Sequence, residues 1–288
     1  MKYLSEVEGL NGISAKVVAA SVSSVGKKLT TLELRYPRFI HSELMTHRLF
    51  SRNASSSRAI PVSKMIEQVK HNPATPIHWG LNQPGMQAQD EQVDTNWANN
   101  WWGMAAYTAR TFAETANEMG LHKQITNRIL EPWQFMTTLV SSTEWDNFFA
   151  QRISPAAQPE INELALCMKQ AMEGATYTQT LCHLPYIRPT DEGLSLDDKM
   201  KVSVARCCRV SYNNLNADSH SFDDIERHDS LLESGHWSPF EHVAVAMNNP
   251  DIQSSNFRGW HQYRNILQKV KPMLPIEVDC LNHMEHIL

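Results

Sequence analysis

The sequence has no run of 18 or more apolar residues, so no segment of it reads as a membrane-spanning helix. Its opening, MKYLSEVEGLNG, lacks the apolar stretch of a secretory signal. Cysteine is scarce. Cys167, Cys182, Cys207, Cys208 and Cys280 are odd in number, two are adjacent, and no Cys-x-x-Cys pair occurs. That pattern excludes a disulfide framework and a zinc finger, and leaves the cysteines as small core residues. Thirteen histidines show no His-x-x-x-His spacing, so no metal is expected. Positive charge is also limited: 26 Lys+Arg against 31 Asp+Glu give a formal net charge of −5. This argues against nucleic-acid binding through overall charge. With 42% hydrophobic and 20% charged residues, the 288-residue chain has the composition of a folded protein with a sizeable core. The expectation is a soluble, cytoplasmic protein with neither a membrane nor a nucleic-acid partner.

Strand-like patterning runs over 13–22 and 28–36. In the second stretch Leu32, Leu34 and Tyr36 alternate with Thr31, Glu33 and Arg35, which predicts one row in the core and the other near solvent. Pro37 ends that strand, and a short helix is expected within 39–47. Residues 71–101 are rich in Pro, Gly, Asn, Gln and Trp without a clear period, and read as a long loop or inserted surface element. Helices follow. Met104, Tyr107, Phe112, Ala116 and Met119 share one helical face, assigned to the core, with Gly120 as its stop. Ile161, Leu164, Met168, Ala171 and Met172 do the same before Gly174. A third helix after Ser221, with Asp224 completing a capping box, runs through Ile225, Leu231 and Leu232 to Gly235. Residues 243–247 form a short apolar run suited to a buried strand. With strands at both ends and helices between, the fold class is α+β.

Three stretches concentrate chemistry. THRLFSRNASSSRAIPVSK, residues 46–64, carries Arg48, Arg52, Arg58 and Lys64, and no acidic residue lies between Glu43 and Glu67. Guanidinium groups among the short hydroxyls of Ser51, Ser55, Ser56 and Ser57 suit a phosphate, although a serine-rich solvated loop has the same composition. GHWSPFEH, residues 235–242, gathers two histidines, a serine and a glutamate at an element boundary, where they serve either a site or a cap. Arg128 in TNRILEP and Arg152 in NFFAQRIS sit in apolar settings, so each needs an internal carboxylate or a bound anion.

Together these stretches resemble the flavin-dependent thymidylate synthases. THRLFSRNASSSR is similar to the family's Arg-His-Arg…Ser signature, with His47, Arg48, Ser51, Asn53, Ser56 and Arg58 in matching places. TLELRYPRFIHSELM resembles its lead-in strand, NRILEP its Ala-Arg-x-x-Leu-Pro element, and EWDNFFAQRISPAAQPEI its next segment, with Asn147 and Arg152 in register. RVSY, residues 209–212, and GHWSPFEH resemble two further family elements. In the family those two precede the signature; here they follow it. FRGWHQYR, residues 257–264, looks like a degenerate second copy of residues 39–48. The resemblance therefore implies a single domain over 1–288, with a loop insertion at 71–101 and a circularly permuted segment at 203–266. On this reading the strand at 243–247 takes the position of 32–36 in an unpermuted copy, or pairs beside it.

What the resemblance implies is one-carbon transfer from methylenetetrahydrofolate to C5 of dUMP, with FAD reduced by NADPH, in a homotetramer whose sites lie between subunits. By the same carry-over Ser56, Ser57, Arg58, Arg128 and Arg152 hold the nucleotide. His47, Arg48, Asn53, Asn147, Ser211, Ser238 and Glu241 contact FAD. Arg152 polarises the pyrimidine, and His236 lies near flavin and folate. The chain departs from the pattern at four places. Thr46 replaces the first signature arginine, Ala54 a glutamate, Glu43 a glutamine, and Ser141-Ser142-Thr143 an Asn-x-Arg. Each charge-assisted hydrogen bond lost there is worth roughly 1.5–3 kcal/mol. Hydroxymethylation or another C5 modification, of dUMP or dCMP, therefore stands beside methylation, as does a nucleotide-binding or assembly protein without turnover.

Overall fold

The computed structural model describes residues 3–85, 87, 90–212 and 221–273. Cys280 lies outside them, as do residues 213–220 of the segment expected to be permuted. Five strands form the main sheet: β1 (Ser5–Glu8), β2 (Ser14–Val22), β3 (Lys28–Pro37), β4 (Ser51–Ala54) and β5 (Phe135–Ser142). Their order is β1-β2-β3-β5-β4 and every neighbouring pair is antiparallel, while the short β6 (Thr178–Gln179) adds parallel to β2. The β2–β3 hairpin closes through Gly26, whose φ of 81° is left-handed, a conformation that glycine adopts without a Cβ penalty.

Nine α-helices occur among the described residues. They are α1 (His41–Met45), α2 (Val62–His71), α3 (Thr95–Glu118), α4 (Lys123–Thr126), α5 (Asp146–Arg152), α6 (Pro159–Glu173), α7 (Leu196–Cys208), α8 (Ser221–Glu233) and α9 (Tyr263–Leu267). None of the described helices is long and apolar enough to cross a membrane. With antiparallel sheets and separate helices the class is α+β, as the patterning predicts. A second sheet, ordered β11-β8-β7, joins β7 (Cys182–His183), β8 (Ala244–Ala246) and β11 (Trp260–Gln262). The ribbon β9 (Gln253–Ser254) with β10 (Phe257–Arg258) stands beside it.

One face of the main sheet buries Leu32, Leu34 and Tyr36 against α6, whose Ile161, Leu164, Met168 and Ala171 are all buried on the expected stripe. The other face differs from expectation. Thr31 and Glu33 are buried as well, because α7, the turn after it and the second sheet cover them. Glu33 accepts hydrogen bonds from Tyr186 at 2.7 Å and Tyr3 at 3.3 Å, and burial raises its pKa. Only Arg35 of that row stays half-exposed, stacked 3.5 Å above the Phe135 ring. Strand alternation defines two faces; it does not say that only one is covered.

Three further expectations are corrected. The irregular stretch ends at Asp94, whose side chain accepts from the Trp97 backbone N–H at 2.8 Å and starts α3, so 95–101 are helical. On α3 the buried residues are Ala98, Ala106, Ala109 and Ala113, the last three packed on α2 and the 3-10 turn at Asn127–Trp133, while Met104, Tyr107, Phe112 and Met119 face outward. Both faces are apolar, and close approach to α2 selects the small one. The strand at 243–247 forms as β8, yet it pairs with β7 and β11 and not beside β3. Asp224 is fully buried, and its carboxylate receives Arg206 at 3.0 Å and also Arg209.

Candidate functional site

The site is organised by β4 and the loop after it. Phe50 and Phe148 pack ring to ring at 5.2 Å in the core, and the His47 ring meets Phe148 edge-on at 4.8 Å, which anchors the chain as it enters β4. Alternation along β4 then turns Ser51 and Asn53 toward the layer formed by the last third of the described chain. The Asn53 amide donates to the Cys207 carbonyl at 2.8 Å, and its oxygen accepts from Ser211 at 3.0 Å and Ser238 at 3.5 Å. The Ser56 backbone N–H donates to the Ser211 carbonyl at 2.9 Å. One asparagine thus ties together THRLFSRNASSSR, RVSY and GHWSPFEH, three stretches far apart in sequence.

Their junction opens into a cleft of about 610 Å³, within the size range of small-molecule sites. Ser56, Arg58, Ser211, His236 and Ser238 line it, joined by Arg227, Ser230 and Ser234 from α8 and its end. Arg58 and Arg227 are exposed, and neither has a carboxylate partner among the described residues. Two guanidinium groups and a ring of hydroxyls form a donor set for a phosphate or pyrophosphate. Arg227 is the residue that sequence reasoning missed. It sits in the mixed-charge run DDIERHD, which looks like an ordinary solvated helix face.

The remaining predicted residues lie elsewhere. His47, Arg48 and Asn147 line a second cleft of about 540 Å³ together with Arg258. Burial, with Arg152 and Arg52 adding repulsion, lowers the His47 pKa. Arg152 lines a third cleft, of about 750 Å³, with Glu43, Trp97 and Trp101. Its guanidinium is already engaged: Nε donates to His47 Nε2 at 2.9 Å, Nη1 to Glu43 at 3.2 Å and Nη2 to Thr46 at 3.4 Å. Two of the departures from the family pattern, Glu43 and Thr46, are therefore direct partners of Arg152.

Arg128 joins none of these clefts. It pairs with Glu131 at 2.7 Å, while its neighbour Asn127 donates to the carbonyls of Ser57 and Ile60 and braces the signature loop. Ser57 is buried. Glu241 pairs with Arg264, and Gln262 bridges the Glu241 carbonyl and Ser51 at 3.0 and 2.9 Å. Residues 257–264, FRGWHQYR, thus clamp GHWSPFEH onto β4 through Gln262 and Arg264.

Behind the clefts a line of polar groups crosses the sheet. His183 bonds Ser21 at 2.8 Å and Thr31 at 2.7 Å, Thr31 bonds Ser141 at 2.5 Å, and Ser141 bonds His242 at 2.8 Å. Burial pushes both histidines down to about 3. No cluster of potential metal ligands occurs among the described residues.

One comparison identifies a family. The model for thymidylate synthase complementing protein matches residues 22–176, a span longer than half of the chain that covers β3 through α6. No curated protein matches the chain.

Proposed function

The chain belongs to the thymidylate synthase complementing protein family, and on that premise we propose that it transfers a one-carbon unit from methylenetetrahydrofolate to C5 of dUMP, using FAD and NADPH. The observation that carries the reading is the cleft in which Ser56 and Arg58 of the signature meet Ser211, Ser238, His236 and Arg227. Its donors fit the phosphate of a nucleotide or the pyrophosphate of a dinucleotide.

Within the proposal, Arg58, Arg227 and Ser56 hold phosphate, with Ser57 shaping the loop from within. Arg48 and Asn147 supply donors for the cofactor from the second cleft. Asn53, Ser211, Ser238 and Glu241 keep the loop in register, with most of their polar atoms already engaged. Arg128 and Arg152 lie outside the phosphate cleft and act there from a neighbouring subunit, so the active form is a homo-oligomer. A planar guanidinium at Arg152 polarises a pyrimidine carbonyl, and His236 borders the reacting face. FAD, once reduced, supplies the hydride that completes the transferred group. The segment at 203–266 is read as the family's permuted lead-in.

A second reading rests on Glu43. Its carboxylate 3.2 Å from Arg152 offers an acceptor beside the predicted pyrimidine arginine. Uracil presents a carbonyl oxygen at C4, whereas cytosine presents an amino group that a carboxylate accepts. That favours dCMP as substrate, with methylation or hydroxymethylation at C5. The test is mass analysis of products after incubating the protein with FAD, NADPH, methylenetetrahydrofolate and either dUMP or dCMP. Conversion of dUMP to dTMP supports the first reading. Conversion of dCMP alone, moving toward dUMP in Glu43→Gln, supports the second. A protein that binds no FAD and modifies neither nucleotide overturns both.

A further inference from the structure

The large side chains on the outward face of α3 form a stripe. Trp97 is 60% exposed, Trp101 49%, Met104 64%, Phe112 63% and Met119, which caps the helix, 82%. Thr108 and Thr115 fill the gaps in the stripe, and their hydroxyls are spent on the helix itself, donating to the carbonyls of Met104 at 2.9 Å and Thr111 at 3.1 Å. Both threonines therefore present mainly a methyl outward. Along the stripe the steps are of three and four residues, so at 100° per residue it stays on one side of the helix throughout. Side chains of roughly 150–250 Å² each, so exposed, leave about 700 Å² of apolar surface in one strip. That exceeds the patch a monomer ordinarily shows to water.

We propose that α3 pairs antiparallel with α3 of a second copy of this chain, about a two-fold axis at Thr108. The positions themselves carry the argument, because the stripe is symmetric about Thr108. Reversing one copy sets Trp97 opposite Met119, Trp101 opposite Thr115, Met104 opposite Phe112, and Thr108 opposite itself. Each of the three unlike pairs matches a larger side chain with a smaller or more pliable one, and two place a methionine sulfur against an aromatic ring. A parallel pair instead stacks tryptophan on tryptophan and threonine on threonine, overpacking one end and leaving gaps elsewhere. Antiparallel helices also oppose their dipoles favourably. Two strips together cover about 1,400 Å², the size of a standard stable interface.

Charge argues against a membrane as the occupant. Interfacial helices carry a lysine- and arginine-rich polar face, whereas α3 has Arg110 alone against Glu114 and Glu118. Trp97 and Trp101 also line the cleft that holds Arg152 and Glu43, so a partner helix on the stripe covers one side of it. The pairing rests on α3 itself and stands whether or not the chain turns over a nucleotide.

Sedimentation of the full chain at micromolar concentration tests this directly. The wild type should be a dimer or a larger even oligomer. Met104→Glu should halve its mass, or weaken assembly at least about 100-fold, because a carboxylate then faces Phe112 without a partner. Its circular dichroism and melting should stay native, since Met104 contributes little to the core. Orientation is read by oxidative cross-linking. Thr108→Cys should link to itself, and Trp97→Cys mixed with Met119→Cys should give linked dimers that neither gives alone. Asn117→Cys, exposed on another side of α3, should not link. A monomeric wild type, an oligomer indifferent to Met104→Glu in a folded variant, or self-linking of Trp97→Cys each overturns the proposal.

Discussion

The Nε–H of Arg152 donates to Nε2 of His47 at 2.9 Å, so His47 accepts at that atom and is neutral, with its proton on Nδ1. The same guanidinium reaches Glu43, a residue from the helix preceding the signature. A side chain near the end of α5 is therefore held at a fixed angle by two groups from the stretch around α1, a distance of about a hundred residues along the chain.

Arg152→Lys should impair nucleotide binding about 10-fold or more, because an ammonium keeps the charge but cannot serve His47, Thr46 and a pyrimidine carbonyl with a rigid fork. Calorimetric titration with dUMP and with dCMP measures it. Unchanged affinity for both, with unchanged turnover, removes Arg152 from the site.

Ser56→Ala should weaken nucleotide binding about 3- to 10-fold and leave the melting temperature nearly unmoved. The loop is held through the Ser56 backbone N–H on Ser211, which alanine retains. Arg227→Ala in the same cleft should cost more, since it deletes one of two guanidinium groups there that have no carboxylate partner among the described residues. A collapsed melt for Ser56→Ala, or full affinity in both variants, rules out the phosphate cleft.

Asp224→Asn should destabilise the fold by about 3–5 kcal/mol, the cost of breaking a buried ion pair by removing one partner. Arg206 is fully buried, between Asp224 at 3.0 Å and Asp191 at 2.5 Å, and would lose half of its neutralising charge. Lys201→Ala, which breaks the exposed pair with Asp197 at 3.2 Å, should cost less than about 1 kcal/mol. Urea unfolding compares the two; equal midpoints contradict the assignment.

The buried histidines set a pH response. His183 and His242 stay neutral in the fold down to about 3 because burial opposes their charge. In the unfolded chain both take up protons below about 6.5. Between those values the unfolded state binds more protons, so stability falls as pH falls. Melting temperature should therefore drop from pH 7 toward pH 4, and His242→Gln, which keeps a polar group near Ser141, should drop less steeply. Parallel pH slopes in the two proteins refute this origin.

Much of the framework was legible in the chain. The strands β2 and β3, the stripe of α6 and the buried cysteines followed from local period and size, which neighbouring residues dictate. The stretch at 46–64 and GHWSPFEH stood out because such dense groupings of arginine, serine and histidine are unusual beside apolar runs, while RVSY was marked only by the family resemblance. Other features were decided only when distant segments met. Periodicity showed that α3 has an apolar face of large residues, but α2 packs closely only on its alanines, so the large residues were left outside. Alternation in β3 marked Glu33 as a solvent residue, yet α7 and the second sheet close over it because their own apolar faces need cover. Arg227 joins the phosphate cleft, Arg128 turns away to Glu131, and Arg152 is occupied by Glu43 and His47. Each outcome depends on which charges the fold brings within a few ångströms, and a linear sequence carries that distance only through the packing of everything between.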